Sequence, residues 1–154
     1  MKMNKLTFKT VAVMAGIVCA STTVLSGSAS ATVKQFPSGN GGGITVDWSG
    51  DWVTANRLQE VTLQLCDATP ADKNRATAVL QGYVTRGGAA RIETAPSVFQ
   101  VPIGDKACYE WRNIFLTYSQ NGDILAYARV KFYGAQAPTE SWFTRWVVNP
   151  LLGQ

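Results

Sequence analysis

Hydrophobic and polar positions alternate along most of the chain beyond residue 43. Val61, Leu63 and Leu65 alternate with Thr62 and Gln64, the two-residue period of a half-buried strand. In the next such run Ala78, Leu80 and Val84 share one face, and Thr77, Gln81 and Thr85 share the other. The pattern predicts strands at 43–48, 60–66, 76–85, 90–94, 97–101, 108–119, 123–133 and 141–148. Pro70 within 67–74 and the pair Gly87-Gly88 mark loops. Residues 52–58 admit a helical turn, but no long 3.6-residue period appears. The expected fold is therefore all-β: an antiparallel β-sandwich of about seven or eight strands in one domain, residues 44–154.

Asn121-Gly122 lies between two alternating runs, the strongest short-range hairpin signal, because a type I′ turn needs positive φ at both central residues. A two-residue loop there would pair Trp111 with Phe132 and Phe115 with Ala128. One face would then collect Trp111, Phe115, Ala126, Ala128, Val130 and Phe132. The other would collect Tyr118, Leu116, Ile114, Arg112 and Glu110 opposite Leu125, Tyr127, Arg129, Lys131 and Tyr133. Either residues 141–148 cover that second face, or it is an exposed aromatic and basic patch. In the second case Tyr118, Tyr127, Tyr133, Arg112, Arg129 and Lys131 are the candidate ligand-binding residues, with the cations drawing an anionic group.

The N-terminus changes the picture. Lys2, Lys5 and Lys9 precede ten apolar residues, 11–20, and then the triplet Ala29-Ser30-Ala31. Charged, apolar and small-x-small parts in that order make a secretory signal peptide, residues 1–31, cleaved before Thr32. Its apolar run is shorter than the roughly 20 residues that span a bilayer. Residues 32–43, with Pro37, Gly39 and Gly41-Gly42-Gly43, read as a flexible Gly-rich tail.

Processing removes most of the charge. The full chain has 14 basic and 10 acidic residues. Three of the basic ones leave with the leader, so 11 face 10 and the net charge is +1. Nothing in that balance favours nucleic acid. Cys19 leaves as well, and Cys66 and Cys108 form an even pair in an oxidising compartment, where a disulfide is the default. The alternatives are free thiols or a metal pair. Two cysteines and no histidine cannot assemble the usual zinc ligand set.

The lack of histidine also excludes Ser-His-Asp and Cys-His catalysis. Asp47 and Asp51 around Trp48 and Trp52 could in principle act on a sugar, but with Ser49-Gly50 between them they also fit turn chemistry. The pairs Trp48/Trp52 and Trp142/Trp146 are either sugar platforms or core. Residues 94–104, bracketed by Pro96 and Pro102, are either an inhibitory loop or an edge strand. One disulfide, tryptophans and short strands resemble immunoglobulin-like sandwiches, although no tryptophan lies between Cys66 and Cys108.

The expectation is a secreted, non-enzymatic binding or surface-interaction protein without cofactor or metal. Its partner would be an extracellular anionic cell-wall polymer, a polysaccharide or a protein. The alternative is a small secreted protease inhibitor or effector.

Overall fold

Alternation builds the first sheet around β3 (Ile44–Thr54) and β4 (Arg57–Asp67). These strands form a hairpin through Ala55-Asn56, with Thr54 opposite Arg57, where the sequence admits a helical turn. Ile44, Val46 and Trp48 on β3 and Leu58, Val61, Leu63 and Leu65 on β4 all point inward and are buried. β7 (Cys108–Thr117) pairs with the far side of β4. The short strands β1 (Lys34–Gln35) and β2 (Gly39–Gly41) pair with β3.

The second sheet centres on β5 (Thr77–Arg86), flanked by β6 (Ala89–Gln100) and β8 (Ile124–Gly134). β9 (Ala137–Phe143) and β10 (Val147–Val148) pair with the outer edge of β8. β5 and β6 join through Gly87-Gly88, both at positive φ, as a two-residue hairpin requires. The structure is a computed structural model that describes residues 33–68, 75–102, 108–118, 120, 122–134 and 137–152. The expected leader, the middle of the loop after Asp67, and Asn121 lie outside the described residues. The two five-stranded antiparallel sheets pack face to face on one hydrophobic core, so the fold is an all-β sandwich.

Cys66 and Cys108 are bonded, as their pairing in the sequence predicts. They sit directly opposite each other on β4 and β7, within one sheet. Immunoglobulin domains place their disulfide between the sheets. The N-terminal glycines are not a free tail. β1 and β2 extend the first sheet, and Phe36 is buried with its ring 4.6 Å from that of Trp48. Trp142 packs so closely on this segment that a Cβ at Gly41 or Gly42 would lie 2.3 Å from its ring.

The pairing of 108–119 with 123–133 does not form. The chain does reverse at the expected place: Asp123 N donates to the Gln120 carbonyl, 3.0 Å, and Gly122 has φ 85°. Yet β7 pairs with β4 and β8 pairs with β5, so the turn links two sheets instead of two partners. A short-range turn signal specifies a reversal but not what the strands bond to. The corner is fixed by Asp123, which is buried and accepts from Arg86 Nε at 2.6 Å and Nη2 at 2.7 Å.

β7 also changes face midway. Arg112-Asn113 oppose the single residue Thr62, with Asn113 at φ 56°. This bulge shifts the alternation by one. Tyr109 and Trp111 pack inward before it, and Ile114 and Leu116 pack inward after it. Phe115, expected in the core, is 65% exposed. Ala126, Ala128, Val130 and Phe132 are buried as expected.

Candidate functional site

The outer face of the second sheet is organised in five cross-strand rows. Ala90, Thr85 and Ile124 form the first. Ile92, Tyr83, Tyr127 and Val148 form the second. Thr94, Gln81 and Arg129 form the third. Val98, Val79, Lys131 and Phe143 form the fourth, and Gln100, Thr77, Tyr133 and Ser141 the fifth. Ala78, Leu80, Gly82 and Val84 of β5 face the other way, into the core. These outward positions carry two cations, Arg129 and Lys131, and no carboxylate.

The face is also apolar. Among the described residues nine large hydrophobic side chains are exposed, and six of them, Ile92, Val98, Ile124, Tyr127, Phe143 and Val148, stand here. One face therefore holds most of the exposed large hydrophobic side chains among the described residues, the usual mark of an interaction surface.

Trp146 reaches this face through a bulge. Thr144 bonds Val130 through both its backbone N and its hydroxyl, and Val147 opposes Ala128. Arg145 and Trp146 thus face the single residue Arg129. The extra residue re-aims the following side chain. Trp142 consequently points inward, stacked on Phe132, while Trp146 points outward. The pair is no platform. Trp48 and Trp52 are no platform either, since both are buried.

Trp146, Tyr83 and Tyr127 meet edge to face, with centroids 5.7 to 6.4 Å apart, and line a depression of about 160 Å³. The Arg129 guanidinium lies beside it, 4.2 Å from the Trp146 ring and 4.0 Å from the Phe143 ring. Its Nε donates to Gln81 Oε1 at 2.9 Å, and Gln81 Nε2 donates to Thr94 Oγ1 at 3.1 Å. Burial pulls the guanidinium below its ordinary pKa, and no carboxylate among the described residues pairs with it. Two aromatic faces stand where a counter-ion would be. Lys131 Nζ lies 5.6 Å from the Tyr133 ring.

The candidate residues from the sequence are therefore divided. Tyr127, Arg129, Lys131 and Tyr133 share the face. Arg112 is on the other sheet, bonded to Glu110, and never opposes Lys131. Tyr118 lies on the far side of the second sheet. Its hydroxyl donates to the Glu93 carbonyl at 3.3 Å, and it lines a groove of about 290 Å³ between the edge strands β6 and β7. Burial, and then Glu93, push its phenol up to about 12. Folding thus favours the protonated phenol. Its contribution is complete below pH 10 and disappears as pH rises through about 12. Titration followed at the phenolate absorption band should show one tyrosine ionising near 12, absent in Tyr118→Phe. Identical curves for the two proteins would contradict this placement.

Tyr83, Phe143 and Trp146 complete the site; of the three only Trp146 was a sequence candidate, and then as half of a platform with Trp142. Tyr83 shares the parity of Thr77, Gln81 and Thr85, so its face was readable. The outward turn of Trp146 depends on a bulge that leaves no local signal.

The other candidates hold less. Asp47, bonded by Ser38, and Glu110, bonded by Arg112, line a shallow polar depression of about 190 Å³. Asp51 is buried, and desolvation, then Glu60, raise its carboxyl above the ordinary range. Residues 94–100 are part of the paired edge strand β6, not a free loop. Comparison with known families, with curated proteins and with solved structures finds no match.

Proposed function

We propose that the chain is a secreted, non-catalytic binding protein that holds an anionic extracellular polymer on the outer face of its second sheet. The observation that carries this reading is Arg129, a half-buried cation against two rings, at an outward position of a sheet whose described outward positions carry no carboxylate. Arginine and lysine supply the attraction, and rigid aromatic rings supply contact area. The disulfide suits an oxidising compartment, and no helix among the described residues is long and apolar enough to cross a membrane. The secretory leader supports export, and N-terminal sequencing of exported material should begin at Thr32. An intact Met1 would refute the leader.

The binding test is Arg129→Ser together with Lys131→Ser, titrated with an acidic polysaccharide at low salt. One charge-assisted hydrogen bond is worth about 1.5–3 kcal/mol, so affinity should fall roughly tenfold to a hundredfold. Unchanged binding would remove this face from the account.

A further inference from the structure

We propose that Arg129 and the Tyr83–Tyr127–Trp146 depression together form a subsite for one carboxylated sugar residue of an acidic polysaccharide. This rests on the reading of the sheet face as an anionic-polymer site and narrows it to one chemistry.

The guanidinium carbon lies 4.0 Å from the Phe143 ring and 4.2 Å from the Trp146 ring, and Gln81 takes Nε. The two terminal NH2 groups are left for an acceptor that comes in the guanidinium plane. A planar carboxylate meets that fork with two parallel bonds. A phosphate oxygen pair also fits the fork, so the neighbouring depression decides between them. Its walls are three aromatic rings, one of which, Trp146, also covers Arg129. A sugar ring presents apolar C–H groups to such walls while its carboxylate reaches the fork. A polyphosphate chain has nothing apolar to place there, and a neutral sugar leaves the cation without its acceptor. Lys131 stands two residues along β8, about 7 Å away, where it meets the next charge of a polyanion.

The experiment is calorimetric titration of the intact secreted protein with three probes: an oligogalacturonate, its carboxyl-reduced neutral counterpart, and a polyphosphate of matched charge. The oligogalacturonate should bind at least tenfold more tightly than either of the others. Arg129→Lys keeps the charge and removes the fork, so it should lose roughly tenfold or more for the oligogalacturonate and less for the polyphosphate, which the aromatic walls do not hold on the fork. Equal or tighter binding of polyphosphate would overturn the carboxylated-sugar subsite and leave the anionic-polymer reading standing. Equal binding of the neutral sugar would overturn the role of Arg129. No binding of either charged probe would overturn both. The three-probe comparison on the unaltered protein decides the matter even if the variant fails to fold.

Discussion

Replacing both Cys66 and Cys108 by serine should lower the unfolding free energy by about 4 kcal/mol. The bridge closes a loop of 42 residues. In the chain-entropy account, a loop of that length restricts the unfolded chain by roughly this amount. The loop contains all of β5 and β6, so the bond constrains half of the second sheet although it lies within the first. Both partners are already adjacent on paired strands, which keeps the native register intact when sulfur is removed. The effect therefore acts mainly through the unfolded state. Urea unfolding followed by tryptophan fluorescence should give a much lower midpoint. A loss below 1 kcal/mol would mean that the unfolded chain is already compact without the bond.

Gly134→Ala should cost roughly 3 kcal/mol, from backbone strain and overpacking together. Gly134 ends β8 at φ 96°, a conformation that side-chain-bearing residues rarely take. A Cβ there would lie 1.9 Å from the Arg75 carbonyl oxygen. That oxygen belongs to the backbone entering β5, so relief requires moving β5 or β8, the two central strands of the second sheet. Gly87→Ala is the control. It also has positive φ but open space around it, so it should cost less. Equal losses at the two positions would show that φ alone, and not the Arg75 contact, sets the cost at Gly134.

The strands themselves were legible where alternation was unbroken. Val61, Leu63 and Leu65 are buried as their period requires, and Ala78, Leu80 and Val84 face the core. The disulfide followed from the two cysteines that remain once the expected leader is removed, and from the oxidising compartment that leader implies. Sheet membership was not legible at Asn121-Gly122. That signal is local, and the choice between β4, β5 and each other as partners is made by long-range packing. Parity failed at Arg112-Asn113 and at Arg145-Trp146. Each is a two-against-one bulge set by the opposing strand, and neither has glycine to announce it. The candidate face was half legible for a related reason. Tyr127, Arg129, Lys131 and Tyr133 sit on one face of β8 whatever β8 pairs with, because they are two residues apart. Tyr118 and Arg112 were assigned through the hairpin and fell away with it.

Five indole N–H groups make the central claim directly testable. Titration of 15N-labelled protein with an acidic polysaccharide should shift the Trp146 indole resonance and the backbone amides of Tyr83, Tyr127 and Arg129. Trp48 and Trp52, buried in the core, should stay unmoved. Shifts confined to the first sheet, or to the groove between β6 and β7, would contradict the assignment of the ligand face.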